Sequence, residues 1–363
     1  MKTRAALFHG PGRPLEVREL ELDGPRAGEV LVRMAAVGIC GTDLHMIKGD
    51  WQRPTPMVLG HEGAGVVEAV GEGVDGIQAG DEVVLSWAPS CGECADCRRG
   101  RPAACVRLQR AIGAGTLLDG TTGMSLDGET VYRGTATGAL SEYLTVSAGV
   151  ALPTGGGVPL DQAALLGCAA LTGVGAVLFA ARVAGGSVLV VGAGGVGQFV
   201  VQGARIAGAE EIVAVDPLEA RLEQARRLGA TLAVTPDELA EAMRERLPDG
   251  ADYAFDAVGD PEASALALRR TRNGGTCVLV GLPRAGARLD LEPADFTRRE
   301  KFLTGSMYGS EDPAVALPVL LDHVLAGRLR LADMLGPEFS LDDVNDAIDA
   351  SLAGSPGRVL VRL

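Results

Sequence analysis

Short apolar segments recur through the first 150 residues of the chain, with polar residues between them and glycines separating them. Alternating apolar and polar positions are typical of half-buried strands, and glycine favours the turns between strands. The pattern predicts strands at Glu29–Arg33, Gly65–Val70, Asp81–Leu85 and Ser141–Val146. We therefore expect this part of the chain to be mainly β.

The pattern changes after the proline- and glycine-rich segment Leu152–Pro159. A long apolar run, Asp161–Val183, follows and predicts a helix. From Ser187 onward, short apolar segments alternate with amphipathic ones, which is typical of an α/β fold with a parallel sheet and crossover helices. The predicted elements are strands Val188–Val191, Glu211–Val215, Asp252–Asp256 and Thr276–Gly281, helices Gln198–Ala207 and Leu218–Leu228, and a last strand-like segment, Arg358–Leu363.

Length and charge limit what the protein can be. The chain has 363 residues, and at roughly 150 residues per domain it should form about two domains. Its net charge of -14 repels phosphate backbones and anionic lipid surfaces. We therefore expect neither nucleic acid nor membrane as a partner. No apolar run approaches the length of a membrane-spanning helix, and the sequence predicts a cytoplasmic protein.

A glycine-rich motif follows the strand predicted at Val188–Val191. Gly192, Gly194 and Gly197 have the spacing G-x-G-x-x-G, with Gly195 and Val196 inside the motif. This motif between a strand and a helix is typical of a turn that holds a dinucleotide pyrophosphate at the helix N-terminus. The next strand is followed directly by Asp216, whose carboxylate would bind the ribose hydroxyls and repel a 2'-phosphate. The sequence therefore favours NAD over NADP.

Four of the seven cysteines lie within one short segment. Cys91, Cys94, Cys97 and Cys105 have the spacing C-x2-C-x2-C-x7-C. Four thiolates can close a tetrahedron around zinc, which describes a structural site. Free surface thiols would be an oxidation liability, and a zinc ribbon that binds nucleic acid conflicts with the net charge.

Three further ligand candidates lie far apart in the sequence, each beside a glycine: Cys40, His61 and Cys168. Two cysteines and one histidine leave one tetrahedral position open for water or substrate, as in a catalytic zinc site. Each residue taken singly could instead be an ordinary core side chain. Cys277 lies within an apolar segment, and we interpret it as an ordinary core side chain.

The order and spacing of several motifs make the chain resemble the zinc-dependent alcohol dehydrogenases of the medium-chain dehydrogenase/reductase family. The motifs are Gly38–His45, Gly60–Val67, Val70–Val74, Ala79–Val83, the four-cysteine segment, Gly167–Cys168 and Gly192–Gly197. The resemblance implies a mainly β, GroES-like catalytic domain from residues 1–169 and 308–363. It also implies an inserted Rossmann coenzyme domain at 170–307, with the active cleft between the two domains.

The resemblance also implies roles for the metal ligands and their neighbours. Cys40, His61 and Cys168 would bind the catalytic zinc, and the four clustered cysteines a structural zinc, which makes two zinc ions per subunit. Thr42 would accept the alcohol proton and pass it through the nicotinamide ribose to His45 at the surface. The remaining roles are those of Asp43, which would orient His61, and of Glu62, which would lie behind the metal.

By the same resemblance, further residues would contact the coenzyme. Val196 and Thr172 would flank the nicotinamide, Arg221 would lie near the adenosine ribose, and Arg358 would bind pyrophosphate. Gly41 stands where several family members carry a basic residue that contacts pyrophosphate. Coenzyme binding would therefore depend more on Arg358 and on the helix N-terminus.

The substrate pocket and the subunit interface are also implied by the resemblance. Trp51 and Trp87 align with positions that line the substrate channel, although core packing would explain them nearly as well. Two large rings would favour an unbranched primary alcohol or a flat aromatic one. Leu282 and Met307 match further lining positions. The loop Ala111–Thr137 resembles that of dimeric relatives, which favours a homodimer joined near Phe302–Met307, with a homotetramer as the alternative.

These observations predict an NAD-dependent zinc alcohol dehydrogenase that interconverts primary alcohols and aldehydes. Two alternatives stay open within the enzymes: an aryl-alcohol dehydrogenase, and a thiol-adduct, formaldehyde-type dehydrogenase that could hold NAD(H) permanently. A non-catalytic protein that binds NAD and zinc is a further alternative. The presence of all three catalytic ligands and of Thr42 argues against it, because a decayed enzyme would have lost some of them.

Overall fold

The computed structural model describes all residues from Met1 to Leu363. The strands are β1 Lys2–Phe8, β2 Glu16–Leu22, β3 Glu29–Gly38, β4 Met57–Val58, β5 Glu62–Val70, β6 Glu82–Leu85, β7 Met124–Leu126, β8 Glu129–Thr130, β9 Tyr132–Arg133, β10 Tyr143–Ser147, β11 Ala151–Pro153, β12 Ser187–Val191, β13 Glu211–Val215, β14 Leu232–Val234, β15 Ala251–Asp256, β16 Thr271–Leu279, β17 Phe302–Gly305, β18 Leu335–Ser340 and β19 Arg358–Arg362. The α-helices are α1 Gly41–Lys48, α2 Ala95–Arg98, α3 Val106–Ala114, α4 Leu160–Ala164, α5 Ala169–Gly175, α6 Gly195–Ile206, α7 Glu219–Leu228, α8 Leu239–Arg246, α9 Pro261–Arg270, α10 Pro293–Thr297, α11 Pro313–Leu325 and α12 Val344–Leu352.

The chain forms two compact units. The first consists of Met1–Cys168, Asp312–Leu325 and Leu335–Leu363, and the second of Ala169–Glu311 and Ala326–Met334. The sequence predicted that all of residues 308–363 belong to the first unit. The short segment Ala326–Met334 instead belongs to the second unit.

Two buried glutamines of the second unit explain why this segment belongs there. The backbone N–H of Arg330 donates to Gln202 Oε1 at 2.8 Å. Gln224 Nε2 donates to the carbonyl of Asp333, also at 2.8 Å. These two hydrogen bonds hold the segment against α6 and α7.

The first unit is mainly β, as predicted. One sheet has the order β8-β7-β2-β1-β4-β9, and the other has the order β11-β6-β5-β3-β19-β18, with β10 also paired to β3. The C-terminal strand β19 pairs antiparallel with the end of β3, where Leu360 lies opposite Gly38. Both ends of the chain therefore build one sheet and share one hydrophobic core.

The second unit contains a six-stranded sheet with the order β14-β13-β12-β15-β16-β17. All five strand pairs are parallel, which confirms the predicted parallel sheet. The central strand β12 is buried along its whole length, because helices cover both faces of such a sheet. The chain builds the sheet outward on one side of β12 through β13 and β14, and then on the other side through β15, β16 and β17. In such sheets ligands bind at the carboxyl ends of the strands, at the point where the strand order reverses.

The prediction of one helix over Asp161–Val183 is wrong. Helix α4 ends at Ala164, a 3-10 turn covers Leu165–Gly167, and Cys168 has φ -148° and ψ -72°. Helix α5 then begins at Ala169 and continues into a π-helical turn, Ala176–Ala181. An apolar run alone does not reveal this break, at which Cys168 directs its side chain toward Cys40 and His61.

No single helix has both the length and the apolarity needed to cross a membrane. The bent pair Leu160–Gly167 and Ala169–Ala181 meets these two criteria when its parts are taken together.

The contact between α5 and α6 gives a stability prediction. A Cβ at Gly173 would lie 2.6 Å from both the Cβ of Phe199 and the carbonyl oxygen of Val196. We expect Gly173→Ala to lower the free energy of unfolding of the second unit by about 1–3 kcal/mol, because the two helices must move apart. Thermal unfolding followed by circular dichroism would show a lower midpoint.

Gly113→Ala is the matched control for that substitution. Gly113 lies in α3, and a Cβ there would meet nothing within 4 Å. Replacing a helical glycine by alanine in open space should raise stability by about 0.5–1 kcal/mol. Equal midpoints for the two variants would show that the α5–α6 contact does not require glycine.

Candidate active site and metal centres

Three buried side chains from distant parts of the first unit meet in one place. Cys40 precedes α1, His61 lies between β4 and β5, and Cys168 lies at the break before α5. The Sγ atoms of Cys40 and Cys168 are 3.9 Å apart, and Cys168 Sγ lies 3.5 Å from His61 Nε2. The structure therefore brings together the three predicted ligands of the catalytic metal.

The spacing of these atoms fits zinc. Bonds of about 2.3 Å to sulfur and about 2.1 Å to nitrogen in a tetrahedron separate two sulfurs by about 3.8 Å and a sulfur from the nitrogen by about 3.6 Å. The observed separations agree with both values. Two thiolates and an imidazole are also a usual donor set for a catalytic zinc ion, with the fourth position left for an exchangeable oxygen.

The Asp43 carboxylate contacts the backbone or side chain of two of the three ligands, Cys40 and His61. One carboxylate oxygen accepts the backbone N–H of Cys40 at 3.0 Å, and the other accepts the backbone N–H of Gly60 at 3.1 Å. The second oxygen also lies 3.4 Å from His61 Nδ1. Asp43 thus holds the loop backbone through two hydrogen bonds and lies beside the His61 ring, a position that fits its predicted role of orienting His61. That role stays a prediction.

Burial alone would lower the pKa of His61 in the metal-free protein. The negative charges of Asp43 and of the Cys40 thiolate outweigh burial and raise that pKa to about 10. A hydrogen bond from Cys168, together with the positive charge of Arg358, holds the pKa of Cys40 well below its usual range. The same hydrogen bond and burial raise the pKa of Cys168. The metal-free cluster therefore contains one thiolate, one thiol and one imidazolium.

Glu62 and Arg358 form a buried, bidentate ion pair beside the cluster. Arg358 Nε donates to Glu62 Oε1 at 2.6 Å, and Nη2 donates to Oε2 at 2.5 Å. Burial raises the pKa of Glu62, and the charge of Arg358 opposes that rise. In this structure the predicted pyrophosphate-binding guanidinium is thus engaged by Glu62. Its contact with the coenzyme stays a prediction.

The two predicted relay residues lie one turn apart on α1. Thr42 and His45 are both half-buried and occupy positions i and i+3, which face the same side of a helix. The sequence analysis missed the partner of His45: its Nδ1 lies 2.6 Å from Asp50 Oδ2.

Asp50 reaches His45 because of how α1 ends. Gly49 has φ 81° and closes the helix with a left-handed turn, and the N–H of Asp50 donates to the carbonyl of His45 at 2.9 Å. A glycine directly after a helix is a recognised termination signal, so this fold-back could have been found in the sequence.

Two tryptophans pack against two of the histidines of this unit. The Trp51 ring stacks on His45, with 4.7 Å between ring centroids. The Trp87 ring meets His61 edge-on, with centroids 6.2 Å apart. Leu282 and Met307 belong to the second unit, and their contribution to a substrate pocket stays a prediction.

The four clustered cysteines form the second thiol group of the first unit. Cys97 Sγ lies 3.9 Å from Cys91 Sγ and 3.4 Å from Cys94 Sγ, and all four sulfurs lie within 4.8 Å of one another. The backbone N–H of Cys97 lowers the pKa of Cys94 to about 6. Four sulfurs in this arrangement fit a closed tetrahedral zinc site with no open position.

The glycine motif of the second unit forms a tight turn between β12 and α6. Gly192 has φ 90°, and a Cβ at Gly197 would lie 1.8 Å from the carbonyl oxygen of Gly192. Gly194, Gly195 and Val196 are half-buried at the N-terminus of α6, where backbone N–H groups have no partner within the helix. This arrangement fits a pyrophosphate anion.

Asp216 lies directly after β13, at the same edge of the sheet as the glycine turn. Its carboxylate accepts the N–H of Ala193 at 2.9 Å and that of Leu218 at 3.0 Å. Arg221 Nη1 lies 3.5 Å from the same carboxylate. Thr172 lies on α5, next to the glycine at which α5 contacts α6. These positions fit an adenosine ribose beside a pyrophosphate site.

Comparison with known proteins assigns the family. The alcohol dehydrogenase GroES-like domain family matches residues 26–155, and the zinc-binding dehydrogenase family matches residues 195–322. An S-(hydroxymethyl)glutathione dehydrogenase of Escherichia coli O1:K1 is 36% identical over 369 aligned positions that cover 100% of both chains. The chain belongs to the zinc-dependent alcohol dehydrogenases of the medium-chain dehydrogenase/reductase family. The resemblance stated from the motifs is thereby confirmed.

Solved structures agree with this assignment. An alcohol dehydrogenase zinc-binding domain protein from Burkholderia ambifaria has a TM-score of 0.95 and 34% identity, covering 100% of this chain and 99% of that one. A benzyl alcohol dehydrogenase from Acinetobacter calcoaceticus has a TM-score of 0.94 and 29% identity, with the same coverage. The predicted fold class, a GroES-like part with a Rossmann coenzyme part, is confirmed.

The protonation of the metal-free cluster gives a testable prediction. His61 and Cys168 have raised pKa values and hold their protons at neutral pH, whereas Cys40 does not. Zinc binding must displace those protons, so it should release about two protons per ion and tighten as the pH rises.

The measurement starts from enzyme that a chelator has stripped of its catalytic zinc only. Returning one equivalent of zinc in a weak buffer that contains a pH indicator should release about two protons at neutral pH. Release of none would mean that the cluster is already fully deprotonated and would contradict the assigned charges.

Proposed function

We propose that this enzyme interconverts primary alcohols and aldehydes with NAD(H). The observation that carries the proposal is the cluster of Cys40, His61 and Cys168, whose three donor atoms lie within 4.8 Å of one another. Three donors match a zinc ion that keeps one position for the substrate oxygen. Membership of a family of zinc-dependent dehydrogenases supports the same conclusion.

Zinc bound by these ligands would lower the pKa of the alcohol oxygen, and a bound nicotinamide would accept the hydride. The chain itself must remove the hydroxyl proton. Thr42 accepts that proton while giving up its own hydroxyl proton, which His45, on the same face of α1, passes to the surface. Asp50 accepts from His45 Nδ1, which orients the ring and leaves Nε2 to exchange the proton with solvent.

The ion pair of Glu62 and Arg358 supports the same chemistry electrostatically. Arg358 lowers the pKa of Cys40 and so favours the thiolate that binds the metal. Glu62 balances the buried guanidinium, so that the pair adds no net charge behind the ligands. Asp43 and Glu62 therefore act on the ligands and their surroundings, while Thr42 and His45 act on the proton.

The coenzyme preference follows from Asp216. Both of its carboxylate oxygens are already oriented by backbone N–H groups, one from Ala193 and one from Leu218. A fixed carboxylate at this point accepts hydrogen bonds from ribose hydroxyls and repels a phosphate. We therefore propose NAD(H) in place of NADP(H), with the pyrophosphate at the N-terminus of α6.

An aromatic alcohol is the substrate class that the tryptophans favour. Trp87 lies edge-on to the metal ligand His61, and Trp51 stacks on the relay residue His45, so two flat aromatic rings lie next to residues of the proposed site. The second candidate is a thiol adduct of formaldehyde, because a relative with that activity in its name is 36% identical. Comparing kcat/KM for benzyl alcohol and for S-(hydroxymethyl)glutathione separates them.

We also propose that the enzyme is a cytoplasmic homodimer. All seven cysteines are free, and thiolate ligation suits a reducing compartment. Strand β17 is an edge of the parallel sheet, and Phe302 on it is 63% exposed. An unpaired edge with an exposed aromatic ring is suited to pairing with a second copy.

Cys40→Ser tests the proposed catalytic role. We expect loss of turnover and a fall from two zinc ions per subunit to one, because a hydroxyl is a poor zinc ligand. NADH binding, measured by the change in its fluorescence, should persist, since Cys40 belongs to the other unit.

Cys277→Ala is the matched control for Cys40→Ser. Cys277 is buried in β16 of the second unit and takes no part in either thiol cluster. This variant should retain two zinc ions and its turnover. Full activity of Cys40→Ser with two zinc ions would remove Cys40 from the catalytic site.

Asp216→Gly tests the coenzyme preference. Without the carboxylate, the repulsion of a 2'-phosphate disappears and the hydrogen bonds to the ribose are lost. The ratio of kcat/KM for NAD to that for NADP should therefore fall by about tenfold or more. An unchanged ratio would show that Asp216 does not contact the ribose.

A further inference from the structure

Gln198 is a buried amide at the start of α6, one residue after the glycine motif. Its side chain is 1% exposed. Burying an amide without hydrogen bonds is costly, so such groups are nearly always paired. Gln198 Oε1 has no hydrogen-bond partner, so the two partners of Nε2 indicate what the burial achieves.

The side-chain nitrogen of Gln198 donates to two backbone carbonyls. Nε2 lies 2.8 Å from the carbonyl oxygen of Ala193 and 2.8 Å from that of Arg221. Ala193 is in the glycine turn, and Arg221 is in the first turns of α7. One amide group thus links the two segments of the coenzyme site that follow β12 and β13.

Ala193 is consequently held on both sides. Its N–H donates to Asp216, and its carbonyl accepts from Gln198. The peptide between Ala193 and Gly194 is planar and trans, so the N–H of Gly194 points opposite to that carbonyl. By holding the carbonyl, Gln198 fixes the direction of a backbone donor in the turn that would hold the pyrophosphate.

The second contact acts on the ribose side. Holding the carbonyl of Arg221 fixes the start of α7 against the glycine turn, and the guanidinium of Arg221 lies 3.5 Å from Asp216. Gln198 therefore holds both the Gly194 N–H, which would donate to the pyrophosphate, and the segment that carries Arg221 beside Asp216.

We propose that Gln198 is a positioning residue for the coenzyme, which holds the glycine turn and the start of α7 in the arrangement that binds the pyrophosphate and adenosine half of NAD(H). The inference rests on the coenzyme site of the proposed function. Preorganised donors bind more tightly because less ordering is needed on association.

Gln198→Met tests this inference, because methionine has a similar length and no donor. Gln202→Met is the control: Gln202 is buried one turn further along α6, and it accepts from the N–H of Arg330, far from the glycine turn in sequence. Both variants lose a buried amide and its hydrogen bonds to the backbone, two for Gln198 and one for Gln202. Only the first loses contacts to the coenzyme turn.

The readout is binding to the zinc-loaded enzyme of NADH, by its fluorescence, and of ADP-ribose, by competition. We expect Gln198→Met to weaken both ligands by about tenfold relative to wild type. Equal factors for the two ligands are expected because ADP-ribose lacks only the nicotinamide ring and keeps the pyrophosphate and the adenosine. Gln202→Met should bind both ligands as wild type does. Equal affinities for the two variants would overturn the inference.

Gln198→Asn keeps the experiment decisive if Gln198→Met does not fold. Asparagine retains the amide but is one methylene shorter, so it cannot reach both carbonyls. Weaker binding of NADH and ADP-ribose is expected, and wild-type affinity would overturn the inference. Failure of the wild-type enzyme itself to bind ADP-ribose would instead overturn the coenzyme site of the proposed function.

Discussion

Two sulfur atoms and one imidazole nitrogen, from residues 40, 61 and 168, lie within 4.8 Å of one another, and the first unit is organised around that convergence. Burying these three polar side chains together would be unfavourable without compensating interactions, because it removes charged and hydrogen-bonding groups from water. The Asp43 carboxylate offsets part of that cost through backbone N–H groups at Cys40 and Gly60 and through its proximity to His61. The metal would offset the rest, since its binding energy is also folding energy.

The same convergence explains why both ends of the chain build one unit. Strand β19 pairs with the end of β3 and brings Arg358 to Glu62, next to Cys40. Removing either partner of this buried pair would leave an isolated charge in the interior, which is far more costly than the pair itself. The C-terminal strand is therefore required electrostatically as well as for the sheet.

Local patterns in the sequence were sufficient for much of the fold. The alternation of short apolar segments with amphipathic helical segments after Ser187 predicted the parallel sheet. Helix geometry around Cys168 was not predictable in that way. Its break depends on contacts with residues more than 100 positions earlier, and composition carries no record of them.

The residues of the candidate site also fall into those that the sequence predicted and those that it did not. Residue types and spacing were enough to select Cys40, His61, Cys168 and the glycine motif. Asp50 was missed although Gly49 signals the fold-back that places it against His45. Gln198 has no signal of its own in a single sequence, because its role depends on two carbonyls that meet only after β12 and β13 pair.

The most direct test of the central claim is crystallography of the purified enzyme at the zinc absorption edge. Two anomalous peaks per chain are expected. One should lie about 2.3 Å from the sulfurs of Cys40 and Cys168 and about 2.1 Å from His61 Nε2, and the other should be enclosed by the four clustered cysteines. A structure with metal only at the four cysteines would contradict it, because the enzyme would then lack the open zinc position on which the proposed chemistry depends.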